Sequence, residues 1–288
     1  MPESQRQLRR KRKIVTDIRQ ITGAMKLVSA AKLRRTLARR ETADFYWTQL
    51  RETVEILAMR VGDVVRHPYL QQRPVQRLGM LVIGGEKGLC GAYNASIVAA
   101  ASEAIGAAGL PAEVVLVGGR TGDLARRAGL NVTRQFPGVN DKEAWRQAVQ
   151  ITQHLHELYT DGGCPRIDVA YARFISRVSH RAVVESVLPL DLPPVAEHPE
   201  EDYLFEPEPE QLLVDLLPRF LRTRVYRLLL DAAASEHSAR LMAMTAATDS
   251  ADDMIEQLTR LINRARQQDI TRELLDVVSG ADALAQRV

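Results

Sequence analysis

Cysteine is scarce: only Cys90 and Cys164 occur in 288 residues, far apart and without a CxxC partner or a histidine-rich neighbourhood. That excludes a disulfide-stapled scaffold and argues against a zinc site. Long apolar runs are missing too. No stretch reaches the ~20 uninterrupted apolar residues that cross a bilayer, and no apolar core follows the basic start as a secretory signal requires. Aromatic residues make up 5% of the chain, which favours long helices of Leu, Ile, Val and Ala over a β-sandwich. Proline is absent between Pro2 and Pro68, leaving room for one helix of about 55 residues, roughly 80 Å long. What the chain does have is ordinary: 45% hydrophobic and 26% charged residues, enough for a sizeable core and about two domains. Disorder throughout is thereby excluded.

The net charge of +3 conceals an asymmetry. Residues 1–40 hold thirteen Lys or Arg against two acids, Glu3 and Asp17, a net of +11, whereas residues 191–210 hold eight acids and no Lys or Arg. A basic arm of this density suits nucleic acid, an anionic membrane or an acidic protein partner; a solvated helix face explains fewer charges.

Two periods divide the chain. Ile14, Ile18, Ile21, Met25 and Val28 alternate four- and three-residue spacings, the seam of a helix supercoiled on a partner. The pattern returns at Leu50, Val54, Leu57 and Val61, and again at Ile270, Leu274, Val277, Ala281 and Leu284. Gly23 interrupts the first run at about 1 kcal/mol relative to alanine, unless a packed partner needs the close approach. Pro218 should kink or start the last helix. Between these ends, apolar runs at 78–83, 114–117, 132–136, 167–175 and 182–190 alternate with helical stretches at 93–108, 119–128 and 142–159. Such alternation argues for a parallel sheet covered on both faces. The expected architecture is α/β with a long antiparallel coiled coil: helices at 1–66 and 208–288 paired, an α/β domain at 75–192, and a proline-rich acidic linker at 191–210.

Catalytic chemistry is hard to place. Gly84-Gly85-Glu86-Lys87-Gly88-Leu89-Cys90-Gly91 sits between strand and helix, as phosphate loops do, but fits neither GxxxxGK[ST] nor GxGxxG; Gly118-Gly119-Arg120-Thr121-Gly122 is also off pattern. Tight turns are the first reading and phosphate binding the alternative. Cys90 is either a thiol activated at a helix N-terminus or a small buried residue. The six histidines contain no HExxH, so no metal is expected, and no cofactor. No nucleophile–base set emerges.

The specific strings carry more. Ile21-Thr22-Gly23-Ala24-Met25-Lys26-Leu27-Val28-Ser29-Ala30-Ala31-Lys32-Leu33-Arg34-Arg35 resembles the N-terminal signature of the gamma subunit of F-type ATP synthases. His67-Pro68-Tyr69-Leu70, Gly88-Leu89-Cys90-Gly91-Ala92-Tyr93-Asn94 and Asp202-Tyr203-Leu204-Phe205-Glu206-Pro207 agree with the same family. So do Ser235–Asp249 and Asn263–Leu274, and the resemblance covers essentially the whole chain in order. It implies a coiled coil with a Rossmann-like domain between its strands and a non-catalytic rotor role, coupling ion flow through the membrane sector to ATP synthesis or hydrolysis by the alpha/beta ring. The partners implied are the alpha and beta subunits, epsilon and the ring of c subunits. By resemblance, Met25, Lys26, Arg35, Arg266, Gln267, Thr271 and Glu273 meet the beta subunit, with Arg9 and Arg10 as further candidates. Leu274, Val277, Val278 and Leu284 would form the rotor tip in an apolar bearing.

The sequence departs from the family at Gly84–Lys87, where a polar contact is in doubt, and at Gly23 and Pro218, which points to a divergent branch such as the alternate F-type ATPases. The resemblance starts almost at residue 1, which favours a mature bacterial protein over a transit peptide. The expected location is the cytoplasmic face of the bacterial plasma membrane, peripheral and reached only through the complex. Two rivals remain. A nucleic-acid-binding coiled coil would use the +11 arm but has few aromatics. A nucleotide-binding α/β enzyme would use the glycine loops.

Overall fold

The computed structural model describes residues 5–62, 65–140, 143–191 and 204–285, with side chains as far as Ser279. The elements in chain order are α1 (Gln5–Val61), β1 (Leu78–Ile83), α2 (Tyr93–Ala108), β2 (Ala112–Val117), α3 (Gly119–Arg127), β3 (Val132–Phe136), α4 (Ala144–Thr160), β4 (Arg166–Ser176), β5 (Ser179–Leu188) and α5 (Pro209–Ala285). They form two compact units, one of residues 29–240 and one of residues 1–28 with 241–288.

Within residues 29–240 the sheet order is β3-β2-β1-β4-β5. β1 to β4 run parallel, and β5 returns antiparallel from β4 as an edge. Strand alternation sorts the side chains into two cores. Leu81, Ile83, Val115, Val117, Val169 and Tyr171 face α4 and the long helices, where Leu57, Ile151, Leu155, Leu221 and Leu229 meet them. Met80, Val82, Val114, Leu116 and Ala170 face α2 and α3, against Tyr93, Ile97, Ala101 and Ala125. Both faces are covered, which is why β1 reads as an unbroken apolar run with every residue buried.

The same unit pairs α1 with α5 antiparallel. Trp47 and Phe220 stack with ring centroids 4.6 Å apart, Asp44 pairs with Arg227, and Arg40 with Asp231, so partners descend on α5 as they ascend on α1. Leu50, Val54, Leu57 and Val61 are buried as their spacing required.

In the unit of residues 1–28 and 241–288 the pairing is again antiparallel, but its seam differs from the one the periodicity selects. Ile14, Ile18, Ile21 and Val28 are 46–61% exposed. The covered residues of α1 are Leu8 and Thr22, with Val15 half-buried between them, at seven-residue steps. Opposite them α5 buries Met244, Ala251, Leu258 and Ile262. Leu8 clusters with Leu258 and Ile262, and Thr248 Oγ1 lies 2.9 Å from Thr22 Oγ1. The physical reason is local satisfaction. Thr22 Oγ1 also bonds the Arg19 carbonyl and Thr248 Oγ1 that of Met244, so these hydroxyls enter the seam without an unmet polar group. The isoleucine stripe therefore points away from α5.

Two further expectations change. Pro218 does not start a helix: α5 begins at Pro209 and continues through it. Proline at the first position suits a helix start. Pro218 removes the donor for the Val214 carbonyl, but Val214 is 40% exposed and water can take its place. Gly23 leaves α1 unbroken, and a Cβ built there meets nothing within 4 Å, so no close approach inside the chain requires it. Gly23→Ala should raise stability by about 0.5–1 kcal/mol, read as a higher urea midpoint at unchanged slope. A lower midpoint would mean that the backbone at this point is tightly packed.

The linker residues 192–203, including Asp202 and Tyr203, and the side chains of Ala281 and Leu284 lie outside the described residues. No described helix is long and apolar enough to cross a membrane.

Candidate functional site

The strand order reverses between β1 and β4, and in doubly wound sheets the crevice beyond the carboxyl ends of such strands is where ligands bind. Here α5 fills it. Asp231 accepts from the Phe174 amide of β4 at 3.1 Å, and Ser238 Oγ donates to the Arg177 carbonyl at 2.6 Å. Arg240 donates to the Gly88 carbonyl at 3.3 Å and to that of Lys87 at 3.4 Å. Beside it, Glu236 holds Arg240 at 2.6 Å one helical turn away. Burial pushes the Glu236 carboxyl above its ordinary range, with Arg240 and then Lys32 pulling it back.

The glycine-rich loops are built to receive this helix. Asn94 Oδ1 accepts from the Gly85 amide at 2.9 Å and from Thr121 Oγ1 at 3.0 Å. A Cβ at Gly84 would fall 2.1 Å from Thr121 Oγ1. Glu86 Oε2 accepts from the amides of Gly119 at 2.9 Å and Gly138 at 2.7 Å. Gly119 is the first residue of α3, so a carboxylate of the chain itself occupies the position at a helix N-terminus where a phosphate would sit. These contacts favour the tight-turn reading over phosphate binding. Cys90 is buried and its thiol is pushed up by that burial, the behaviour of a packing residue rather than an activated nucleophile. Among the described residues no group of three or more His, Cys, Asp or Glu could hold a metal. His154 meets Phe136 and Glu157, whereas His156 meets Tyr69, so the two diverge as their spacing implied.

The residues that resemblance assigns to contact fall in two places. Met25 and Lys26 are half-exposed on α1 in the unit of residues 1–28 and 241–288. Arg35 is exposed on α1 in the unit of residues 29–240, with Nε 3.5 Å from the Ala31 carbonyl. Arg266, Gln267, Thr271 and Glu273 are all exposed on α5, and the Thr271 hydroxyl is bonded to the Gln267 carbonyl at 2.9 Å. Leu274, Val277 and Val278 follow, 56–70% exposed. Every residue from 266 to 279 is exposed. Ala265 packs against the cluster of Leu8, Leu258 and Ile262, and α5 continues from there to Ala285, roughly 30 Å further at 1.5 Å per residue. At 100° per residue, Arg266, Gln267, Ile270, Thr271, Glu273, Leu274, Val277 and Val278 share one half of that helix. Sequence reasoning did not single out Asp231, Glu236 and Arg240, which lock α5 into the sheet. The i,i+4 spacing of Glu236 and Arg240 was the available signal.

A long helix pair that closes the ligand crevice of its own α/β domain, with apolar and charged helix faces exposed, fits a helical-stalk subunit better than an enzyme that binds its ligand at the switch point. Comparison with known proteins gives the family. The family model described as ATP synthase matches residues 4–284. The chain is 39% identical over 281 residues to the ATP synthase gamma chain of Desulfitobacterium hafniense, covering 98% of this chain and 99% of that one. It is 38% identical to that of Moorella thermoacetica, covering 97% and 98%. In fold it is similar to a chain of the Euglena gracilis mitochondrial ATP synthase (OSCP/F1/c-ring, rotational state 3), with TM-score 0.68, 20% identity and coverage of 97% and 94%. The rotor of the same enzyme in rotational state 1 gives a TM-score of 0.67 at 20% identity, covering 92% and 98%. The chain belongs to the ATP synthase gamma chain family. It is a central-stalk rotor subunit and has no catalytic role of its own; the nucleic-acid and nucleotide-enzyme readings are set aside.

Proposed function

We propose that the paired helices turn within a ring of alternating alpha and beta subunits, while the α/β domain meets epsilon and the ring of c subunits, and that this links ion flow to ATP synthesis or hydrolysis. The observation that carries this reading is the set of apolar residues left uncovered by the chain itself. Among the described residues, Ile14, Ile18 and Ile21 on α1, and Ile270, Leu274 and Val277 on α5, stand 46–70% exposed. A surface of that kind needs a sleeve supplied by other chains. Non-directional apolar contact at the tip (Leu274, Val277, Val278 and Leu284) opposes rotation little.

Rotation drives catalysis only if each orientation of the helix pair contacts each beta subunit differently, since a contact equal in all states shifts none of them. Met25, Lys26, Arg35, Arg266, Gln267, Thr271 and Glu273 are assigned to these contacts. Arginine suits a bond that must be strong in one orientation and broken in the next. The functional divisions are the helix of residues 1–66, the α/β domain of 75–192 and the helix of 208–288. The site of action is the cytoplasmic face of a bacterial plasma membrane, reached through the complex.

The test is co-assembly with alpha and beta subunits. The double variant Arg266→Ala, Gln267→Ala should assemble and keep its helical circular dichroism, yet lower ATPase turnover by about tenfold, or about 1.4 kcal/mol in the barrier. Unchanged turnover would overturn the assignment of these residues.

A further inference from the structure

At the end of the sheet opposite the glycine-rich loops, a cavity of about 810 Å³ opens within residues 29–240, between α1, α5, the start of β4 and the end of β5. Five arginines stand on its wall: Arg51 from α1, Arg73 from the segment before β1, Arg166 from the first position of β4, and Arg224 and Arg227 from α5. Three acids, Glu55, Glu185 and Asp191, share the wall.

The ion pairs do not distribute evenly over this set. Arg51 reaches Glu55 at 3.4 Å, Arg166 holds Asp168 at 2.8 Å, and Arg227 holds Asp44. Glu185 is taken by Arg173, from outside the wall, at 2.6 Å. Arg73 and Arg224 are left, among the described residues, with carbonyl oxygens as their hydrogen-bond partners. Arg73 donates to the Tyr159 carbonyl at 2.7 Å and lies over that ring at 4.4 Å, while its Nε is buried with no acceptor. Arg224 donates to the carbonyls of Ser186 and Val187. A guanidinium taken out of water and met only by neutral dipoles is short of compensating charge. Burial lowers the Arg224 pKa, and Glu185 and Asp191 offset this only in part.

We infer that this cavity binds a phosphate-class polyanion, with Arg73 and Arg224 supplying the unneutralised charge and Arg51 and Arg166 completing the ring of donors. The planar guanidinium fork matches phosphate oxygens two at a time, and donors converging from four chain segments make a built site rather than a basic surface. The volume exceeds that of a single phosphate, and the Trp47–Phe220 pair on the same wall offers apolar surface to whatever the phosphate carries. Two sources share this chemistry: a soluble polyphosphate and the headgroup of an anionic phospholipid.

The full chain should be titrated calorimetrically with pyrophosphate, and floated with vesicles of phosphatidylglycerol or of phosphatidylcholine alone. Saturable binding of pyrophosphate, weakened about tenfold in Arg224→Gln and falling with added salt, supports a soluble ligand. Flotation with phosphatidylglycerol only, lost in the same variant, supports a headgroup. Arg51→Gln, at a half-exposed position, provides the second arm if Arg224→Gln fails to fold, and it should weaken either signal severalfold. The inference is overturned if neither probe binds, or if binding is unchanged in a folded Arg51→Gln or Arg224→Gln chain. Neither readout depends on assembly or ATPase activity, so the result stands apart from the rotor assignment.

Discussion

Arg240→Met will cost the folded chain about 3–5 kcal/mol, the largest loss expected from any single side chain in the crevice. Methionine keeps most of the aliphatic stem, so packing changes little and the loss is electrostatic. Removing the guanidinium strands Glu236, which is 7% exposed, and takes from the Gly88 carbonyl its Arg240 donor, while the Lys87 carbonyl keeps only Asn94 Nδ2 at 3.3 Å and the Cys90 thiol. A buried carboxylate deprived of its partner is the costly half of an ion pair. The double variant Glu236→Gln, Arg240→Met should recover a large part of the deficit, because it removes the stranded charge along with the bond. Urea unfolding of the two variants checks this. A single-variant loss below about 1 kcal/mol would show that the pair does not hold α5 in the crevice.

The same variant carries a pH signature with a definite sign. Burial raises the Glu236 carboxyl in the folded chain above its value when unfolded. A raised group contributes stability that is fully present below the unfolded pKa and disappears as pH climbs through the folded one. Arg240 opposes the rise, so without it the folded value moves higher and the loss on ionisation grows. The deficit of Arg240→Met should therefore be smaller near pH 5 than near pH 8. Asp231, raised by burial and held by Arg40 at 3.0 Å, changes in the same direction in both proteins and cancels in the difference.

That crevice also marks how far the sequence could be read. Strand and helix positions in the α/β domain were legible because buried parallel strands produce unbroken apolar runs; 78–83 and 132–136 coincide with β1 and β3. The pairing of the terminal helices was legible from their length and period. The covered face of α1 near its start was not. Periodicity weighs apolar side chains, and there the isoleucines turn outward while Leu8, Val15 and Thr22 meet α5. A stripe that serves another chain has the same period as one that serves this chain, so sequence alone cannot assign the face. The polar locks were hidden for a different reason. Arg40–Asp231 and Thr22–Thr248 join residues far apart in the chain, and only the fold brings them together. At the Glu86 cap the expectation of a phosphate-like position was sound, but the anion turned out to be a carboxylate four residues ahead of Cys90 on the same loop.

The glycine loops offer the sharpest separation of a structural from a ligand-binding role. Gly118 has φ +106, a conformation that side-chain-bearing residues rarely adopt, and a Cβ there would lie 2.7 Å from the Gly84 carbonyl oxygen and 2.8 Å from that of Gly85. Neither backbone atom can give way cheaply. The Gly84 amide is bonded to the Val117 carbonyl at 3.0 Å, and the Gly85 amide to Asn94. Gly118→Ala thus combines backbone strain with a clash, and should cost at least about 3 kcal/mol, enough that little soluble folded chain accumulates. Gly88→Ala, in the other glycine-rich loop, meets nothing within 4 Å and should stay within about 0.5 kcal/mol of the parent. If these glycines served a phosphate, Gly88→Ala would abolish nucleotide binding by the isolated chain while leaving it folded. The soluble yield of Gly118→Ala, with thermal unfolding and ATP titration of Gly88→Ala beside the parent, decides between the two. The expected result is a wide gap in stability and no change in ATP binding from Gly88→Ala, because the space at the switch between β1 and β4 is already filled by α5 through Ser238 and Arg240.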